Sequence, residues 1–150
     1  MNLVGQAGSL RRVGNPPSRH SCASNVQHCS VTMDNFPEFM RHPANRIAKT
    51  NQATPGVEGY IFDGADGSQM AFWTCRESAA SATHAHDYDE YMLVVQGCYT
   101  LIIDGERIPV KAGEEYFIPR GVPHGGELLA ATRTIHAFGG HRADREPALR

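Results

Sequence analysis

The stretch EYMLVVQGCYTLIIDGERIPV, residues 90–110, decides which fold the sequence predicts. It contains three short apolar runs, at residues 90–96, 99–104 and 107–110, which are rich in residue types that favour β-strands. Asp104-Gly105, at the end of the second run, is a dipeptide that tight β-hairpins prefer because both residues tolerate positive φ. Short strands that follow one another without a helix between them predict an antiparallel sheet.

Further apolar runs extend this pattern in both directions along the chain. They lie at residues 58–63, 69–76, 115–119 and 132–138. The sequence Gly64-Ala65-Asp66-Gly67 supplies turn residues between the first two of these runs. Seven or so short strands at regular spacing predict an all-β protein, built as an antiparallel sandwich or barrel.

Composition divides the chain into four parts. Residues 1–32 are polar and aperiodic, so we expect a disordered N-terminal extension, with Met33 as an alternative start. Residues 33–56 form an N-terminal arm in which Pro37 and Pro43 limit any helix to a short turn. The strands occupy a domain at residues 57–140, and a polar tail that we expect to be frayed follows at 141–150.

Charge and hydropathy exclude several classes of partner. The formal net charge of -2 gives no reason to expect nucleic acid or an anionic membrane as a binding partner. No apolar segment approaches the roughly 20 residues that a membrane span needs. The chain also does not open with a basic stretch followed by an apolar run, as a signal peptide would, and we therefore expect a cytoplasmic protein.

Three histidines and one glutamate have the spacing of metal ligands. His84 and His86 are two residues apart, so on an extended strand both would project to the same face. Glu90 opens the next predicted strand, and His124 lies in a turn, residues 119–124, that two prolines and a glycine stiffen. This mixed nitrogen and oxygen set suits Fe²⁺, Mn²⁺, Zn²⁺, Ni²⁺ or Co²⁺, and the sequence leaves the metal open.

The region around these residues resembles the cupin superfamily. Its first motif, Gly-x5-His-x-His-x3-Glu-x6-Gly, is matched by His84, His86, Glu90 and Gly97, with Ser78 in place of the first glycine. Its second motif, Gly-x5-Pro-x-Gly-x2-His-x3-Asn, is matched by Gly113, Pro119, Gly121 and His124, with Leu128 in place of the asparagine. The resemblance implies a cupin domain at 57–140, a jelly-roll barrel or double-stranded β-helix, four metal ligands, and a homodimer.

His136 is the candidate catalytic residue outside these motifs. It lies in an apolar strand, and if Thr132, Thr134, His136 and Phe138 share the inner face it could act as an acid or base in the pocket. A core histidine with satisfied hydrogen bonds is the alternative that the absence of any motif favours. Phe72 and Trp73 are neighbours on a predicted strand, so their side chains point to opposite faces. We expect one of them to line the barrel and the other to lie on an outer surface.

The cupin resemblance by itself names no reaction. The leading hypothesis is a metal-dependent enzyme that acts on a small oxygen-bearing metabolite. Dioxygenase chemistry comes first among the reaction types and isomerase or lyase chemistry next. A non-catalytic module that senses or binds a small molecule is the alternative. The sequence leaves the substrate open under every one of these hypotheses.

Overall fold

The computed structural model describes residues 35–52 and 54–147, and these residues fold almost entirely into strands. Two short 3-10 helices, Glu38–Arg41 and Pro43–Asn45, precede the strands and form the predicted helical turn. The strands are β1 (Val57–Asp63), β2 (Gln69–Cys75), β3 (Ala79–His84), β4 (Glu90–Gln96), β5 (Cys98–Ile103), β6 (Glu106–Lys111), β7 (Glu115–Ile118), β8 (His124–Leu128) and β9 (Arg133–Phe138). The predictions for residues 1–32 and for Met33 lie outside the described residues.

The strands form two antiparallel sheets, as the predicted jelly roll requires. One sheet has five strands in the order β1-β2-β9-β4-β7, and the other has four in the order β3-β8-β5-β6. Consecutive strands therefore pass repeatedly from one sheet to the other, and the inner faces of the two sheets enclose the core. None of the helices in the described part of the chain is both long and apolar enough to cross a membrane.

The hairpin predicted at Asp104-Gly105 is confirmed. Both residues have positive φ, 50° and 78°, and they join β5 to β6 with Ile103 paired to Glu106. A two-residue loop of this type matches the natural twist of paired strands. The seven predicted strands all occur, with boundaries that differ by a residue or so from those expected.

Strands β3 and β8 are the elements that sequence patterning did not identify as strands. Strand β3 reads AASATH and is mostly polar or half-exposed, so it carries no apolar alternation. Strand β8 contains Gly125 and Gly126, which sequence reasoning assigns to turns. At Gly126 a Cβ atom would lie only 2.2 Å from the ring of Tyr99, so the glycine is required by a close approach between β8 and β5.

Inward-facing side chains of both sheets make the apolar core. Met92 and Val94 of β4 are fully buried, and Leu101 of β5 and Ile118 of β7 pack with them. The alternation along β4 explains this, because successive residues of a strand point to opposite faces. Burial of such side chains stabilises the barrel by roughly 1.5–3 kcal/mol each.

The N-terminal arm covers part of the outer surface of the five-stranded sheet. Phe36 is 3% exposed and packs edge-on against Phe72 of β2, with ring centroids 5.4 Å apart. The guanidinium of Arg133 lies 4.2 Å from the centre of the Phe36 ring. Phe72 therefore faces outward under the arm while its neighbour Trp73 faces the interior, as the alternation of strand residues predicts.

Residues 139–147, after β9, are packed and not frayed, which corrects that part of the prediction for the polar tail; residues 148–150 lie outside the described residues. Gln69 of β2 is 4% exposed, and its amide oxygen accepts the backbone N–H groups of Arg142 and Ala143. Its amide nitrogen donates to the carbonyl of Ala143 at 3.1 Å, and Ala143 itself is 2% exposed. A buried glutamine side chain thus substitutes for a neighbouring strand, an interaction that composition does not reveal.

Candidate metal centre

The register of β3 and β8 brings the first two candidate ligands together. His84 is the last residue of β3 and His124 the first residue of β8, and they are directly paired across the two strands. Their ring centroids are 4.5 Å apart. Each ring has its Nδ1 at hydrogen-bond distance from a backbone carbonyl, 3.0 Å to Ala82 for His84 and 2.9 Å to Val122 for His124. A proton on Nδ1 leaves the Nε2 lone pair available as a ligand.

His86 reaches the same point from a loop and not from a strand. Strand β3 ends at His84, so the expectation that both histidines share one strand is wrong. Two contacts hold the loop in place: the carbonyl of His86 accepts the N–H of Gly121 at 2.7 Å, and the ring of His86 stacks on Tyr88 with centroids 4.8 Å apart. Ligand atoms of the three histidines lie within 4.8 Å of one another.

Glu90 supplies a carboxylate to this three-histidine cluster. It is the first residue of β4, belongs to the opposite sheet, and is 4% exposed. Its Oε2 lies 3.3 Å from Nε2 of His86 and 3.2 Å from Nε2 of His124. Two atoms that each bind one ion at about 2.1 Å, roughly at right angles, are about 3 Å apart, so these separations suit a shared ion.

Three buried atoms of this cluster have no hydrogen-bond partner among the described residues. They are Nε2 of His86, Nε2 of His124 and Oε2 of Glu90. Leaving buried polar atoms unsatisfied costs about 1–3 kcal/mol each, and native structures contain few of them. Three such atoms that converge on one point, all of ligand type, fit a divalent metal ion.

The surroundings of Glu90 and His84 favour the protonation states that bind a metal, whereas those of His124 favour the protonated imidazole, which would have to lose its proton to become a ligand. Burial alone would raise the pKa of Glu90, but the imidazoles of His124, His136 and His86 hold it well below its usual range. Burial lowers the pKa of His84, so this imidazole is neutral near pH 7. Burial opposes protonation of His124 too, but Glu90 and the carbonyl of Val122 raise its pKa above the usual value. Glu90 is therefore an ionised carboxylate, the form that binds a metal.

His136 lies directly behind Glu90. Thr132, Thr134, His136 and Phe138 are all buried, so they do share the inner face. The Nδ1 atom of His136 is 2.6 Å from Oε1 of Glu90, and its Nε2 is 2.9 Å from the hydroxyl of Thr134. Both ring nitrogens thus have partners, as a satisfied core histidine would, and yet one of the partners is a candidate ligand. The acid or base role that the sequence suggests stays a prediction.

Three of the four candidate ligands, His84, Glu90 and His124, border a cavity of about 80 Å³. These three side chains and His136 belong to its polar part, and Trp73 and Phe138 belong to its apolar wall, which also includes core side chains such as Met92 and Leu101. Arg142, from the segment after β9, completes the lining. Sequence reasoning missed Tyr88 and Arg142, because neither belongs to a motif and the region of Arg142 looked like a frayed tail. A space of this size suits a small molecule.

Comparison with known proteins agrees with this architecture. Residues 71–132 match the family model described as a cupin domain. KdgF from Halomonas has a similar structure, with a TM-score of 0.52 and 23% identity over 56% of this chain and 80% of that one. An RmlC-like cupin from Shewanella frigidimarina gives a TM-score of 0.51 and 23% identity, over 55% of this chain and 75% of its own.

A third similar structure is salicylate 1,2-dioxygenase from Pseudaminobacter salicylatoxidans. Its TM-score is 0.53 at 16% identity, and the match covers 56% of this chain but 26% of the dioxygenase. Identities this low establish a common fold and nothing about substrate. No curated protein matches the sequence. The two departures from the expected motifs lie away from the ligands: Ser78 accepts the N–H of Ala130 at 3.1 Å, and Leu128 is buried in the core.

Proposed function

We propose that this chain, in which residues 71–132 match the cupin-domain model, is a metal-dependent enzyme acting on a small oxygen-bearing metabolite. Dioxygenase chemistry is the leading reaction class, followed by isomerase or lyase chemistry. The observation that carries the proposal is the convergence of three buried ligand-type atoms without hydrogen-bond partners, beside a small cavity. Among the similar structures, the one named as a dioxygenase lends support to the fold alone.

In this proposal His84, His86, Glu90 and His124 are the metal ligands, and the ion is Fe²⁺, Mn²⁺, Zn²⁺, Ni²⁺ or Co²⁺. A divalent metal supplies Lewis acidity toward a substrate oxygen and, if it is iron, the capacity to activate dioxygen. Four protein ligands would leave two sites of an octahedral ion for substrate or water.

The protein's own residues prepare this site. Backbone carbonyls fix the imidazoles of His84 and His124, which supports a single orientation of each ring. His136 contacts Oε1 of Glu90, so only Oε2 faces His86 and His124. The carboxylate would therefore bind a metal through one oxygen. Phe138, which is 3% exposed, contributes an apolar wall that limits the access of water.

Elemental analysis followed by a turnover screen tests the proposal. The protein is purified without chelator, then also stripped and reloaded with each of the five ions, and bound metal is counted. We expect one ion per chain and turnover of a small hydroxy or oxo compound, with oxygen consumption if the metal is iron. Failure to bind any of these ions would contradict the proposal. Stoichiometric metal without turnover across the screen would favour the non-catalytic binding module instead.

A homodimer, together with a cytoplasmic location, also belongs to the proposal. Met70, Ala137, Tyr91 and Phe117 are aligned across β2, β9, β4 and β7, and three of them are exposed large apolar residues. A continuous apolar row on an outer sheet face supports contact with a second copy. We expect dimers by light scattering and monomers for Phe117→Lys, with Phe39→Lys, on the arm, as control. A monomeric wild-type protein at micromolar concentration would contradict the dimer.

A further inference from the structure

Arg142 is the one lysine or arginine among the cavity-lining residues in the described part of the chain. Its position is built into the fold, because the buried amide of Gln69 accepts its backbone N–H and holds the adjoining Ala143 from both sides. A second contact fixes the start of the same segment, because the N–H of Gly139 donates to the carbonyl of Asp89 at 2.9 Å. Tertiary structure therefore fixes the backbone from which this cation extends to the cavity that three of the candidate ligands border.

No anionic group in the described part of the chain binds the guanidinium of Arg142. Within residues 35–52 and 54–147 the structure records neither a hydrogen bond nor an ion pair for this side chain. Its Cζ lies 6.0 Å from the ring centre of Trp73 and 5.8 Å from that of Phe138. These distances are at the outer limit of about 6 Å for a cation–π contact. The aromatic rings thus border the guanidinium and leave its N–H donors unused.

The other charged groups of the cavity are already engaged with one another. Among the described residues that line the cavity Glu90 is the one carboxylate, and its two oxygens face His136 on one side and His86 and His124 on the other. Among the described residues, therefore, no carboxylate balances the positive charge of Arg142. A half-buried arginine with free donors beside a small cavity is suited to an anionic ligand.

We infer that Arg142 binds the carboxylate of a small organic acid, whose other oxygen donor reaches the three-histidine cluster. This inference rests on the proposed function and names the class of its substrate. A planar guanidinium pairs with a carboxylate through two parallel hydrogen bonds, which orients the ligand as well as binding it. One cation suits a single carboxylate better than a doubly charged phosphate, and the cavity of about 80 Å³ admits a compact acid.

Trp73 gives a direct test that does not depend on activity. It is the single tryptophan of the chain, it lines the cavity, and Arg142 lies above its ring. Its fluorescence therefore reports ligand entry in metal-loaded and in chelator-treated protein alike. The probes are glycolate, pyruvate, malonate and succinate, each titrated beside its neutral amide. We expect at least one acid to change the emission saturably at millimolar concentration or below, and its amide to bind at least tenfold more weakly.

Variants of Arg142 distinguish specific recognition of the ligand's carboxylate from a general effect of net charge on acid binding. Arg142→Gln removes the cation and should weaken binding of the acid at least tenfold, while the amide is unaffected. Arg142→Lys keeps the charge but loses the planar pair of donors, and an intermediate affinity is expected. The matched control is Arg120→Gln, which makes the same change in net charge at an exposed position outside the cavity lining. Metal content and circular dichroism should be the same in all four proteins.

The outcomes distinguish this inference from the proposed function. Binding of the acid that depends on Arg142 in chelator-treated protein supports the recognition site even if metal analysis contradicts the metal centre. Normal metal content combined with equal acid affinity in wild type and Arg142→Gln overturns the inference and leaves the metal centre standing. Equal affinity for acids and amides, or no response to any acid, also overturns it.

Discussion

The inner face of β4 passes through two contrasting regions within five residues. Glu90 lies at the polar end, among imidazoles and beside the cavity, whereas Met92 and Val94 lie at the apolar end. All three side chains are almost completely buried, at 4%, 0% and 0% exposure. The comparison shows that alternation along a strand determines which side chains point inward. It does not determine whether an inward position contributes packing or chemistry.

The two regions also contribute differently to the free energy of folding. Apolar side chains at one end lose contact with water, which stabilises the barrel by about 25 cal/mol for each Å² that is buried. At the other end, buried atoms of Glu90, His86 and His124 without partners oppose folding. We expect substitutions at the polar end to change metal binding with little loss of fold, and substitutions at the apolar end to do the reverse.

The largest expected effect comes from His124→Ala. Because a direct ligand is lost, metal affinity should fall by more than the roughly 10–100-fold that is typical of a residue that merely supports a ligand. Circular dichroism should be unchanged, and affinity is measured by competition with a chelator. His42→Ala is the matched control, since His42 is exposed on the arm and outside the cavity lining. Tight, stoichiometric metal in the His124 variant would refute the ligand assignment.

Val94→Ala tests the apolar end of the same strand. Loss of two buried methyl groups and the cavity that remains should lower the free energy of unfolding by about 2 kcal/mol. Urea denaturation measures this, and metal bound per folded chain should stay the same. Val95→Ala is the control, because Val95 is adjacent but 38% exposed on the other face. If Val94→Ala reduced metal binding as strongly as His124→Ala, the two regions would not be separable.

The smallest of these effects is expected at the boundary between the two regions, from His136→Gln. Glu90 would lose the group that holds its Oε1, so metal affinity should fall by about 10-fold, less than for a direct ligand. The absorption spectrum of cobalt-loaded protein should also change, because Glu90 can reorient. Thr134→Val removes only the hydroxyl behind His136 and should produce a weaker change of the same kind. Unchanged affinity and spectrum in His136→Gln would assign His136 to packing alone.

Sequence reasoning predicted the parts of this molecule that depend on local patterns. The Asp104-Gly105 hairpin follows from turn chemistry, and the candidate ligands follow from two motifs around His84 and His124. Strand β8 was missed, because Gly126 is selected by contact with Tyr99 and not by strand propensity. Such contacts join residues far apart in the chain, and a single sequence contains no record of them.

The polar residues around the cavity show the same limit. The link between His136 and Glu90 depends on the pairing of β9 with β4, and no spacing in the sequence indicates that pairing. Arg142 was placed in a tail because its surroundings are polar, whereas its position depends on Gln69, far away in the chain. The contacts of candidate residues outside the motifs became visible only through tertiary structure.

Contacts between the N-terminal arm and the segment after β9 have a consequence for the order of folding. Ile47 pairs with Arg145, and the N–H of Glu146 donates to the carbonyl of Arg46 at 2.8 Å. These pairs join opposite ends of the described chain, so they close the longest loop in the domain, at the highest cost in chain entropy. The candidate ligands are much closer together along the chain. If both proposals hold, the candidate ligands can come together before Arg142 reaches the cavity, and a newly folded barrel would bind a metal ion before it could discriminate among acids.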